Sequence, residues 1–303
     1  MSDKTNEDKI KEAVTQTYGN IARRFNEDPA LKIIQTPAQS SCCAPAQDSS
    51  GESDCCGDTA AARFYSEQEL AGLPDSVTEA SLGCGNPLVV ADLQPGEVVL
   101  DLGSGGGIDC FMSARQVGPD GRVIGLDMTP DMIKLARRNA KKMGVSNVDF
   151  RFGEMEDIPL PDASVDVIIS NCVVNLAPDK EAVFREAYRV LQPGGRISIS
   201  DIVIDGDLPP SVRVRLDAWA GCIAGALDES DYLSKIAGAG FQQVEVVARS
   251  HTDLSDTNDV EAAVALLGDT QEADQALLSD AGLSVGDLAH KIKSITVKAV
   301  KPR

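Results

Sequence analysis

The chain has 303 residues, 43% hydrophobic and 25% charged, enough for one sizeable α/β core with an appended subdomain. Forty-seven acidic side chains against 28 basic ones leave a formal net charge of -19, a field that repels phosphate backbones and argues against a nucleic-acid partner. No apolar run reaches the roughly 18 to 20 residues of a membrane span, and MSDKTNEDKIKEAV lacks the basic-then-apolar order of a secretory signal, so a cytoplasmic protein without membrane association is expected.

Residues 9–25, KIKEAVTQTYGNIARRF, predict a helix interrupted near Gly19, with Ile10, Val14, Tyr18 and Ile21 on one side, serving as an arm or lid. Residues 36–61 are rich in Ser, Ala, Pro and Asp and contain nothing that could bury a core, so they read as a mobile segment bearing Cys42, Cys43, Cys55 and Cys56. From 97 to 200 strand and helix alternate, the pattern of a doubly wound parallel sheet. Its strands are 98–103, 122–127, 148–153, 164–171 and 196–203. A helix opens at Thr129 with Pro130 in its first turn and stops at Gly144, and another over 179–191 ends at Pro193-Gly194-Gly195. After Leu208 helices dominate, and two late β-rich stretches, 241–248 and 294–300, are expected to complete the sheet as antiparallel edge strands. The expected division is 1–63 for the arm, 64–206 for the core and 207–303 for a C-terminal substrate subdomain.

Open α/β sheets bind ligands beyond the carboxyl ends of their strands, and the first such end carries Asp101, Gly103, Ser104, Gly105 and Gly107. Glycines there let the backbone press against a ligand, and the following helix offers unpaired N–H groups. A dinucleotide fingerprint counted from Gly103 would put its third small residue at Ile108, where a branched side chain fits poorly. An acid before alternating glycines instead resembles motif I of class I S-adenosylmethionine-dependent methyltransferases, whose fold is a Rossmann-like seven-stranded sheet. That resemblance implies that Asp101 and the loop embrace the methionine portion of S-adenosylmethionine. Asp127 would take the ribose hydroxyls and Glu154 would approach the adenine. Met128 packs on the adenine face in this reading, Met155 joins the same set, and Asn171 lies beside the reacting end.

Eight cysteines in a chain expected to stay in the cytoplasm read as working thiols rather than a disulfide framework. Cys84 lies in SLGCGNP, Cys172 in SNCVVNL and Cys222 in WAGCIAGAL, and Cys110 is assigned to helix packing. Those three strings, with LDLGSGGGIDCF and GLDMTPDMI, closely resemble the arsenite methyltransferase family over about residues 64–241. The resemblance implies that Cys84, Cys172 and Cys222 hold trivalent arsenic as the methyl acceptor, in arsenic detoxification, and that either Cys42 or Cys43 is a redox partner of Cys84. It also implies a thiol reductant, thioredoxin, glutaredoxin or glutathione. Trivalent arsenic is thiophilic and keeps a lone pair, so thiolates can fix it with that nucleophile free. The contiguous pairs Cys42-Cys43 and Cys55-Cys56 lack the spacing of a structural zinc site. Two rival readings are a quinone- or sterol-type small-molecule methyltransferase and a metalloid-binding protein without turnover.

Overall fold

The computed structural model describes residues 5–26, 60–206, 224–251 and 290–303. Seven strands form one sheet in the order β3-β2-β1-β4-β5-β7-β6. They are β1 Val98–Leu102, β2 Arg122–Asp127, β3 Val148–Phe152, β4 Val165–Asn171, β5 Leu191–Ile204, β6 Gln242–His251 and β7 Ile292–Val300. The first five pair in parallel, whereas β7 pairs antiparallel with both β5 and β6. The two late strands therefore do complete the sheet, but β7 is inserted between β5 and β6 instead of lying at an edge, and of the two only β6 is an edge strand.

Alternation along the strands assigns each residue to one of two faces. Leu100, Leu102, Ile124, Leu126, Ile168 and Ile199 pack into one core with Phe184 and Tyr232, which come from α7 (Lys180–Val190) and α8 (Glu229–Gly238). Val99, Val123, Val167 and Ile169 point the other way, into a core with Phe111 of α5 (Ile108–Val117) and Ile133 of α6 (Pro130–Met143). Burying side chains of this size stabilises by roughly 1.5–3 kcal/mol each, which explains why the central strands read as continuous apolar runs.

Thr129 is the N-cap residue of α6, Pro130 follows at its start, and Gly144 closes the helix in the left-handed conformation at φ 66°. The C-terminal end of α7 differs from expectation. It stops at Val190, and Leu191 is already extended and pairs with Val165 before the register shifts at the Pro193-Gly194-Gly195 bend. The N-terminal helix α1 (Asn6–Asn26) runs uninterrupted through Gly19. A Cβ there would come within 3.2 Å of the Arg23 guanidinium and 3.4 Å of the Asp131 carboxylate, so the glycine serves close packing on α6 and does not break the helix. Three short helices, α2 Glu67–Leu70, α3 Asp75–Thr78 and α4 Leu88–Ala91, lead into the sheet. No described helix is long and apolar enough to cross a membrane.

Candidate active site

The carboxyl ends of β1, β2 and β4 open on one cleft. Asp101, Gly103, Ser104, Gly105, Asp127, Met128, Met155, Asn171 and Cys172 all line it. Gly107 does not. It is the N-cap of α5 at φ 99°, where a Cβ would sit 2.8 Å from Phe111 and 2.9 Å from Phe150. Glu154 also stays off the wall: its carboxylate pairs with Lys11 of α1, and its side chain is 48% exposed. The adenine role expected for Glu154 thus has no support from its placement.

Three carboxylates meet at this cleft, and none of its lining residues is Lys, Arg or His. Asp127 accepts from the N–H groups of Gly105 at 2.9 Å and Thr129 at 2.8 Å, leaving each oxygen a second lone pair. Burial pushes its carboxyl above the usual range. Asp101 is buried, takes the Cys110 thiol at 3.2 Å, and is pushed up by burial and then by the charge of Asp109. Asp109, from the first turn of α5, accepts from the Tyr65 hydroxyl at 2.7 Å, and burial raises it to about 6. Ser104 Oγ is buried without a partner among the described residues.

Left-handed glycines bring the backbone to the cleft: Gly103 lies at φ 68° and Gly105 at φ 50°. A Cβ on Gly103 would collide with Val173 at 2.2 Å. A cleft with a glycine turn, an orphaned hydroxyl and three acids, and with no basic side chain among its described lining residues, fits a cofactor that carries an ammonium, a sulfonium and a ribose diol.

At the far end of the cleft two sulfurs meet. Cys84 and Cys172 form a disulfide with Cα atoms 5.5 Å apart, joining the segment before α4 to the tip of β4. Cys172 adopts φ 60°, the left-handed region that non-glycine residues rarely occupy, and its N–H donates to Ser200 O at 2.7 Å. A carboxylate oxygen of Asp201 lies within 4.8 Å of both sulfurs. Asp201 Oδ1 accepts from Asn175 Nδ2 and the Ile202 N–H, each at 2.9 Å; Oδ2 accepts from the Asn175 N–H and the Tyr232 hydroxyl, each at 3.1 Å. Burial lifts Asp201 to about 6.

Asn171 faces the cleft, yet its amide serves the protein. Nδ2 donates to Tyr65 Oη and Gly85 O, both at 2.8 Å, and Oδ1 accepts from the Cys84 N–H at 3.1 Å. Cys110 is buried in α5, in line with a packing role. Cys42, Cys43, Cys55, Cys56 and Cys222 lie outside the described residues, and the partner of Cys84 in this structure is Cys172. Sequence reasoning missed Asp109 and Tyr65, and it missed that Val14 and Tyr18 of α1 line the cleft. The amphipathic face of α1 was visible in the sequence, but what it covers was not.

A seven-stranded sheet with one antiparallel strand, and a glycine-turn cleft at its carboxyl edge, define a class I S-adenosylmethionine-dependent methyltransferase fold. A family model described as "Methyltransferase domain" matches residues 93–246. The chain is 46% identical to an arsenite methyltransferase of Halobacterium salinarum over 72% of this chain and 57% of that protein. It is 37% identical to the human arsenite methyltransferase over 53% of this chain and 44% of that protein. A crystal structure of an arsenic(III) S-adenosylmethionine methyltransferase from Chlamydomonas reinhardtii is 34% identical, covering 81% of this chain and 75% of that one, with a TM-score of 0.62. The chain belongs to the arsenite methyltransferase family. It spans little more than half the length of the Halobacterium relative.

Proposed function

We propose that this chain moves the methyl group of S-adenosylmethionine to trivalent arsenic held by Cys84, Cys172 and Cys222, in arsenic detoxification. One observation supports this reading most: the sulfur of Cys84 is bonded to Cys172, a residue on the wall of the same cleft that carries the glycine turn. Bound S-adenosylmethionine supplies an electrophilic methyl group. The chain's own residues do the rest by positioning. Asp101, Asp127 and Ser104 offer the polar contacts of the cofactor end, and Met128, Met155 and Val173 make the walls apolar. Arsenic on sulfur carries no proton that must leave, so no general base is required; excluding water and aligning the lone pair are the tasks left.

Methylation formally takes arsenic from the trivalent to the pentavalent state, a loss of two electrons. Two thiolates, Cys84 and Cys172, can return those electrons by forming the bond seen here, which a dithiol such as thioredoxin, or glutathione, would then reduce. The disulfide is thus the spent form of the acceptor site in this reading. Cys42 or Cys43 would serve as a further relay.

The test is to incubate the purified protein with arsenite, S-adenosylmethionine and thiol, then separate the arsenic species. Methylated arsenic is expected, lost in Cys172→Ser and Cys222→Ser while both variants still bind the cofactor. Activity that survives Cys172→Ser would overturn the reading in favour of a carbon or oxygen acceptor.

A further inference from the structure

The peptide of Cys84 is gripped on both sides. Its N–H donates to Asn171 Oδ1 at 3.1 Å, and its carbonyl oxygen accepts from Ser294 Oγ at 2.7 Å. Asn171 ends β4, whereas Ser294 lies on β7, 210 residues along the chain from Cys84. The flanking glycines let the segment lie flat against these side chains. A Cβ on Gly83 would be 2.4 Å from Asn171 Nδ2, and one on Gly85 would be 2.7 Å from Ser200 Cβ. Ser200 is in turn hydrogen-bonded to Thr296 at 3.0 Å, and Thr296 and Ser294, two residues apart, share a face of β7. Four polar side chains from three strands thus form a bed under Cys84.

We propose that Ser294 is a positioning residue for the acceptor thiol: by holding the Cys84 carbonyl it fixes the Cys84 sulfur beside Cys172. Without that hydroxyl, Asn171 alone holds the peptide from its N–H side, and the peptide can pivot. The sulfur would then spend less time within bonding reach of Cys172, or of an ion bound to it. The inference rests on the reading that Cys84 holds the acceptor, but the distance between the two sulfurs can be judged without arsenic.

The test compares Ser294→Ala and Ser294→Val with Ser294→Thr, the last two differing only in the hydroxyl. Fully reduced proteins are mixed with oxidised glutathione, which takes up two electrons as the Cys84–Cys172 bond closes, and the peptide pair joined by that bond is quantified over time by mass spectrometry of alkylated digests. Closure is expected to be about five- to tenfold slower in the Ala and Val variants and restored in Thr, as befits loss of one hydrogen bond. The affinity for S-adenosylmethionine, measured by calorimetry, should not change. In turnover assays KM for arsenite should rise by a similar factor with kcat within about twofold. Equal closure rates in all variants would overturn the inference. So would weakened cofactor binding or loss of folding in Ala and Val with Thr intact, since the hydroxyl would then serve the fold at large. If the wild-type protein methylates no arsenic, the acceptor reading falls, while the closure rates still decide the role of Ser294.

Discussion

Cys172 stores backbone strain where the acceptor is proposed. Its φ of 60° costs a residue with a Cβ about 1 kcal/mol relative to glycine. Cys172→Gly is therefore expected to melt higher than Cys172→Ala, both having lost the sulfur, and a scan of the two variants side by side checks this. Gly103 is the opposite case. Adding a methyl group at φ 68° against Val173 should cost roughly 2–3 kcal/mol and abolish cofactor binding, measurable by denaturation and calorimetry of Gly103→Ala. Asp109 gives a pH signature. Burial raises its folded-state carboxyl to about 6, above the unfolded value, so the folded protein binds more protons than the unfolded chain between about pH 4 and 6. Its contribution to stability is thus most favourable at the acid side of that window and declines as pH rises through it. The Tyr65 hydroxyl and Asn171 amide donate to it, while Glu69 opposes its charge. Asp109→Asn should gain stability relative to wild type from pH 4 to 6 and hold that difference above, as read by melting curves across pH.

At the scale of elements, α1 connects the surface to the cofactor cleft. Ile10 and Val14 are buried, Val14 and Tyr18 form part of the cleft wall, and Lys11 and Arg23 pair with Glu154 and Asp131. These exposed pairs add little by themselves. The apolar face must carry the docking. Val14→Asp, which puts an unpaired carboxylate among apolar neighbours, should release the helix and weaken S-adenosylmethionine binding by about tenfold or more, with the transition of the sheet nearly unchanged. Calorimetry together with limited proteolysis would show both. The helix itself was legible, because Ile10, Val14 and Tyr18 recur at helical spacing, but Gly19 read as a break since nothing in a single sequence reveals that Asp131 packs against it. The five parallel strands and the glycine turn were legible from β-branched runs and strand-end acids. The orientation of Glu154 was not legible for a related reason: proximity to a strand end fixes where a backbone lies, not whether a long side chain turns inward or, as here, pairs with Lys11.

Across the whole molecule, the Cys84–Cys172 bond closes a span of 88 residues that includes the cofactor turn and the first four strands. In the chain-entropy account such a span is stabilised by about 4–5 kcal/mol when closed. Reducing the protein should lower its melting temperature by several degrees, and Cys84→Ser should melt at that lower temperature with or without reductant. The position of β7 was the least legible part of the fold. Its sequence marks a strand, but its place between β5 and β6 depends on partners roughly 90 to 100 residues away on β5 and roughly 40 to 60 away on β6, which no local period encodes.

That placement also orders events during synthesis. β6 leaves the ribosome some 40 residues before β7, its pairing partner among the described strands, and Ser294 arrives with β7. A nascent chain halted before residue 290 would hold a nearly complete cofactor half beside a Cys84 held by Asn171 alone. Maleimide labelling of stalled chains should find that thiol reactive, and find it shielded once residue 300 has cleared the exit tunnel.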